Sequence, residues 1–150
     1  MMLRAILVAG ISVSSGYALA QSEPAKERSV LMRAMLQEAF SPLRQIVRDE
    51  RAYDPAAVAK AYAVMEAGLK QAVSLWPPNT PSDPKGRFGS SAKVWESKAD
   101  FDQKMREAQK LISETRAQSA SGLEGLKTSW PQIDLACNAC HETYRVRQQQ

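Results

Sequence analysis

The 150-residue chain has little of the chemistry that most enzymes and protein metal sites require, since it contains one histidine and two cysteines. It has no alternating run of β-branched residues that would predict a β-strand. No set of side chains resembles an acid–base or nucleophilic catalyst, so we do not expect a substrate-converting enzyme. Basic residues are scattered and usually followed by acidic ones. This pattern argues against nucleic-acid binding despite a formal net charge of +4.

Residues 1–20 have the composition of a cleavable export signal. A short positive start ends at Arg4, an apolar run follows, and residues 18–20 are an Ala-x-Ala cleavage sequence. The apolar run is too short to act as a stable membrane anchor, although a retained signal anchor is the alternative. We therefore predict export to a bacterial periplasm, no membrane anchor after cleavage, and one mature domain over residues 21–150.

The mature sequence is rich in helix-forming residues, and four helical segments predict an all-α fold. Asp54 followed by Pro55 is typical of a helix N-terminus, and Pro131 should kink the fourth helix. The stretch PPNTPSDPKGRFGSS is predicted to be loop, and the other two connections are short. Short connections favour an antiparallel up-down-up-down four-helix bundle. The predicted helices cover about residues 22–49, 54–76, 90–117 and 121–147.

Both cysteines and the single histidine lie in one short stretch, LACNACHETYR. On a helix, Cys137 and Cys140 are one turn apart and His141 is four residues from Cys137, so all three project toward the bundle interior. C-x-x-C-H is the attachment motif of c-type haem. Its two thiols form thioethers with the haem vinyl groups, and its histidine binds iron from the proximal side. We therefore predict one covalent haem c, with its iron, at these three residues.

Other interpretations of this motif are weaker. A zinc site needs three or four protein ligands, and no acidic residue obviously completes a set with two cysteines and one histidine. A thiol–disulfide exchange motif usually opens a helix after a strand, whereas this motif lies late in a predicted helix of an all-α chain. A structural disulfide across so small a loop would remove little entropy from the unfolded chain.

Helical spacing suggests two further residues for the site. Arg145 would lie one turn beyond His141, where it would contact a haem propionate or the imidazole; a solvated helix end that complements the helix dipole is the alternative. Methionine is the candidate for a sixth iron ligand, because the chain has no second histidine. On the first helix, Met32 lies near the centre of the apolar arc and Met35 at its edge, so Met32 is predicted as the distal ligand. Packing of Met32 in the core is the alternative.

With these features the sequence resembles the cytochrome c′ family over roughly residues 25–147. CNACHETYR resembles the family's haem-binding end, including an arginine four residues after the histidine. RSVLM resembles its first-helix pattern, in which methionine or another apolar residue at the position of Met32 faces the distal side. AYDPAAV and SSAKVWESKADF resemble the starts of its second and third helices. The chain departs from the family at Ala92-Lys93, where a proline often precedes the tryptophan, and at Pro131.

The resemblance implies one of two functions. In low-spin members a first-helix methionine is the sixth iron ligand and the protein transfers electrons, whereas high-spin members have five-coordinate iron and bind small gases such as NO. Met32 favours the electron carrier, with an unidentified periplasmic redox protein as its partner. Binding of NO or CO by five-coordinate iron is the alternative. Val30 and Leu31 lie off the main apolar arc and are candidates for a homodimer contact or ordinary surface residues.

Overall fold

The computed structural model describes residues 14–78, 80 and 87–148 of the chain. The predicted export signal at residues 1–20 lies largely outside these ranges and stays a prediction. Within the described ranges, no helix combines the length and the hydropathy of a membrane span.

Helices dominate the fold and are grouped in four antiparallel arms, which confirms the predicted all-α four-helix bundle. The first arm contains α1, a π-helical turn and α2; the second contains α3 and a 3-10 turn; the third contains α4 and α5; the fourth is α6. In chain order these elements are α1 (Ser14–Met35), the π-helical turn (Leu36–Phe40), α2 (Ser41–Val47), α3 (Pro55–Ala72), the 3-10 turn (Val73–Leu75), α4 (Lys93–Glu96), α5 (Lys98–Ala120) and α6 (Leu123–Tyr144).

Local sequence signals explain where several helices begin and end. The Asp54 carboxylate accepts a hydrogen bond from the backbone N–H of Ala56 at 2.9 Å, and Pro55 occupies the first helical position of α3, as predicted. Gly122 has a φ of 141°, a conformation that L side chains rarely adopt, and it allows the sharp turn from α5 into α6. Helix α6 continues through Pro131 as one helix.

Two predictions about the helix connections are wrong. Phe88–Ser90, inside the predicted loop, forms strand β1, and Arg145–Arg147, predicted as the last turn of the fourth helix, forms strand β2. The strands pair antiparallel as a two-stranded ribbon, hereafter the β1–β2 ribbon. At Arg145 the backbone becomes extended, and the Tyr144 carbonyl accepts a hydrogen bond from the Ser91 N–H at 2.8 Å. Backbone groups at the end of α6 thus bind the β1 segment instead of continuing the helix.

The core lies where the four arms meet, with α5 packed along α6 and α3. Tyr62 is the largest fully buried side chain of the core, and its hydroxyl has partners inside the bundle, since it lies 3.3 Å from Thr115 Oγ1 and 2.5 Å from Ser119 Oγ. A buried hydroxyl with partners avoids the desolvation penalty of an unsatisfied group. Other fully buried side chains are Leu43, Ile46, Leu126, Ile133, Val58, Val94, Ser119 and Ser129.

Candidate haem site

The last two turns of α6 carry Cys137, Cys140 and His141, and all three residues are partly buried. Both cysteines pack against the hydrophobic core, and both are free thiols. A helix spaces them by one turn, so the two sulfur atoms face the interior of the bundle beside the imidazole. Two free thiols and one imidazole on a single helical face form the donor set that covalent attachment of haem requires.

The environment of the thiols keeps them protonated. Burial raises the pKa of Cys137 to about 11, with smaller contributions from the negative charges of Cys140 and Asp134. Burial also raises the pKa of Cys140; Asp100 adds to this shift and the positive charge of Lys104 opposes it. A dithiol oxidoreductase needs an attacking thiol whose pKa is lowered. The thiol–disulfide exchange alternative therefore has no support in this environment.

The imidazole of His141 is neutral at physiological pH. Burial lowers its pKa to about 4, and the positive charge of Arg145 lowers it further. A neutral imidazole keeps a lone pair available for a metal ion. Among the described residues, no three histidine, cysteine, aspartate or glutamate side chains are placed to hold a metal ion together. The donors at the end of α6 are thus not arranged as a zinc site made of protein ligands alone.

Arg145 lies in strand β2 rather than on the helix, so the predicted position one turn beyond His141 on α6 is wrong. Its side chain is exposed, and its guanidinium carbon lies 4.6 Å from the centre of the Phe88 ring. Arg145 is still the C-cap of α6, because its backbone N–H donates a hydrogen bond to the His141 carbonyl, and its exposed side chain therefore fits the alternative prediction of a solvated helix end. The charge of Arg145 nevertheless acts on the imidazole. Its contact with haem stays a prediction.

Met32 lies on α1, on a different arm from the haem-attachment motif. It is partly buried and packs against the same hydrophobic core as Cys137 and Cys140. Met35, one turn further along α1, packs directly on α3. A Cβ atom at Gly68 would lie 2.3 Å from the Met35 sulfur, so the absence of a side chain at this glycine makes room for the thioether.

The side chains that anchor the C-terminal end of α6 to its neighbours were not predicted from the sequence. The Tyr144 hydroxyl donates a hydrogen bond to the Asp100 carboxylate on α5, and this bond raises the pKa of Tyr144 to about 12. The Tyr144 and Phe101 rings meet edge to face at 5.1 Å, and Phe101 meets Trp76 in the same way at 4.9 Å. The sequence contained one indication of these contacts, namely Tyr144 itself, an aromatic residue one turn after His141.

Arg28 is a second residue whose role the sequence did not reveal. It is buried one turn before Met32, and its guanidinium donates hydrogen bonds to the Leu75 carbonyl at 2.6 Å and to Thr80 Oγ1 at 3.0 Å. The guanidinium carbon also lies 5.7 Å from the centre of the Trp76 ring. Burial lowers the pKa of Arg28. These contacts fix the part of α1 that carries Met32 against the end of the second arm.

Comparisons with known proteins place this arrangement in a family. The model of the family described as Cytochrome C' matches residues 23–145. The chain is 30% identical to a cytochrome c' of Rhodopseudomonas palustris, over 98% of this chain and 99% of that protein. It is 29% identical to a cytochrome c-555 of Bradyrhizobium diazoefficiens, over 95% of each chain.

Solved structures share the same fold. The crystal structure of cytochrome c' from Rubrivivax gelatinosus matches with a TM-score of 0.72 at 15% identity, covering 84% of this chain and 97% of that chain. A nitrosyl complex of a cytochrome c prime variant from Alcaligenes xylosoxidans matches with a TM-score of 0.72 at 23% identity and the same coverage.

The fold and the donor set define a c-type haem protein built on a four-helix bundle. The chain belongs to the cytochrome c' family, and its cofactor is covalent haem c with iron. The resemblance, the fold class and the cofactor predicted from the sequence are thereby confirmed.

Proposed function

We propose that the chain is a periplasmic electron-transfer cytochrome. In this proposal Cys137 and Cys140 would hold the haem through thioethers, and His141 and Met32 would be the protein ligands of the iron. Bound haem supplies a one-electron ferric/ferrous couple. The partner is an unidentified periplasmic redox protein, and the chain is proposed to have no substrate-converting activity. Thioether formation would consume both thiols, which supports the last point because no free cysteine nucleophile would remain at the site.

The observation that carries the proposal is the difference between the two methionines of α1. The Met35 thioether occupies the space left by Gly68, and Met32, Met35 and the two cysteines are all partly buried side chains that pack against the hydrophobic core. Met32 also occupies the position at which the family's first-helix pattern faces the distal side. A thioether is a soft donor that favours ferrous iron, so ligation by Met32 suits an electron carrier.

The other residues of the site have defined tasks in this proposal. His141 stays neutral and keeps its lone pair for iron, because burial lowers its pKa to about 4. Phe101 packs on Tyr144 at the end of α6, Trp76 packs on Phe101, and both side chains are buried. Low solvent access and a low local dielectric around a redox centre influence its potential. Thioether attachment would retain the cofactor in an exported protein, which supports a periplasmic location together with the predicted signal at residues 1–20.

Gas binding by five-coordinate iron is the second candidate function. It is supported by the solved nitrosyl complex of a cytochrome c prime variant, which has the same fold as this chain. In this case Met32 would pack near the iron without binding it, and NO or CO would occupy the sixth position. The proposed homodimer contact is compatible with both functions. Val30 is 61% exposed and available for it, whereas Leu31 is partly buried and packs against the hydrophobic core of its own chain.

Absorption spectra of the purified haem protein distinguish the two functions. Electron transfer through Met32 predicts a low-spin spectrum and a ferrous form that does not bind CO. The variant Met32→Leu, which conserves volume, should become high-spin and bind CO, whereas the matched control Met35→Leu should keep the wild-type spectrum. A wild-type protein that is high-spin and binds CO would support gas binding. A low-spin spectrum that survives Met32→Leu would show that another residue is the sixth ligand.

A further inference from the structure

The β1–β2 ribbon combines positive charge with exposed apolar surface. Arg87 precedes β1, while Arg145 and Arg147 lie in β2, and all three arginines are exposed. Phe88 and Val146, one on each strand, are 40% and 42% exposed. Arginine and aromatic side chains are enriched where proteins bind one another, so this composition is typical of an interface.

The ribbon brings like charges together around one ring. The guanidinium carbons of Arg145 and Arg87 lie 4.6 Å and 5.5 Å from the centre of the Phe88 ring. The register places Arg147 directly opposite Phe88, on the same face as Arg145. Cation–π attraction holds the guanidinium groups at the ring. Within the described parts of the chain, none of these three arginines forms an ion pair with a carboxylate.

The ribbon lies beside the haem-bearing end of the bundle. Strand β2 follows α6 without an intervening loop, and the Ser91 N–H binds the Tyr144 carbonyl, which anchors the ribbon to the last turn of α6. A protein bound to the ribbon would therefore lie close to the end of α6 that carries Cys137, Cys140 and His141.

We propose that the β1–β2 ribbon is the docking surface for an acidic protein that exchanges electrons with this cytochrome. The proposal rests on the electron-transfer function proposed above. Guanidinium groups bind carboxylates through two parallel hydrogen bonds, while Phe88, on the same face as Arg145 and Arg147, supplies the apolar contact. Complementary charge also accelerates encounter between partners, and salt weakens this effect. An anionic membrane fits less well, because lipid-binding basic segments contain about four to eight lysines or arginines.

Binding is tested with cadmium-substituted plastocyanin, an acidic probe protein that cannot transfer electrons. The ¹⁵N-labelled ferrous haem protein should show NMR shift changes at the amides of residues 87–90 and 145–148, and these changes should disappear at high salt. Arg87→Gln combined with Arg147→Gln should weaken binding by about fivefold. The control, Arg33→Gln with Arg48→Gln, removes the same charge from two exposed arginines of the first arm and should weaken binding less.

Each contrary outcome has a distinct meaning. Equal weakening of binding in the two double variants would overturn the docking surface and show that only net charge matters. NMR shift changes confined to residues outside the ribbon would overturn it as well. Ribbon-dependent binding to phosphatidylglycerol vesicles without binding to plastocyanin would overturn the acidic-protein partner in favour of a membrane. Copper plastocyanin then tests transfer: specific binding at the ribbon without oxidation of the haem would overturn the electron-transfer function while the docking surface stands.

Discussion

Replacing Gly68 with alanine is expected to destabilise the bundle by displacing the Met35 side chain from α3. The new Cβ would lie 2.3 Å from the sulfur and 2.7 Å from Cγ of Met35. Favourable carbon contacts occur at about 3.5–4.0 Å, so the thioether must move by roughly 1 Å. Overpacking costs about 1–3 kcal/mol, and alanine in a helix gains about 0.5–1 kcal/mol over glycine. We expect a net loss of about 1 kcal/mol in the free energy of unfolding.

A double-mutant cycle with Met35→Ala isolates this contact. Without the Met35 thioether, Gly68→Ala should no longer meet an obstacle and should stabilise the protein by about 0.5–1 kcal/mol. The assay is guanidinium-induced unfolding of the haem protein, followed by circular dichroism. Ala63→Gly, at an exposed position of the same helix, is the control, because its effect should be the same with and without Met35.

The cycle also tests the assignment of the iron ligand. If Gly68→Ala stabilises the protein equally in both backgrounds, the Met35 thioether is not packed against Gly68. The structural distinction between Met35 and Met32 would then be lost, and with it the main reason for choosing Met32 as the sixth ligand.

Three further predictions concern the ends of helices and the cofactor. The pKa of Tyr144 is raised from 10.0 to about 12, mainly by its hydrogen bond to Asp100, so its contribution to stability is present below pH 10 and lost as the pH rises toward 12. Unfolding measured across this window should therefore show a steeper decline for the wild type than for Tyr144→Phe. Asp54→Ala should cost about 1 kcal/mol in thermal unfolding, because it removes the N-cap of α3. Cys140→Ala should leave one thioether, and the reduced haem band should move to longer wavelength because one vinyl group remains.

Each of these has a result that contradicts it. If the free energies of unfolding of the wild type and Tyr144→Phe fall in parallel above pH 10, the hydrogen bond to Asp100 does not contribute to the pH dependence of stability. Asp54→Asn should retain most of the stability that Asp54→Ala loses, and an equal loss in both would point away from capping. An unchanged reduced band in Cys140→Ala would mean that this cysteine does not form a thioether.

Features that depend on near neighbours in the chain could be predicted from the sequence. Asp54 and Pro55 mark the start of α3 because capping needs only residues within one helical turn. The spacing of Cys137, Cys140 and His141 places them on one face of any helix, and their residue types indicate covalent haem before the fold is known. The four helices and their short connections likewise predicted the bundle.

Features that depend on distant partners were decided only by the tertiary structure. The local sequence would allow Arg145 to continue the helix. Helix α6 ends at Tyr144 because the β1 segment, more than fifty residues earlier in the chain, supplies hydrogen bonds to the backbone that follows. The close packing of Met35 on Gly68 and the bond between Tyr144 and Asp100 each join two arms. Sequence periodicity identifies the apolar face of a helix, but which neighbour covers each position depends on how the arms pack against one another.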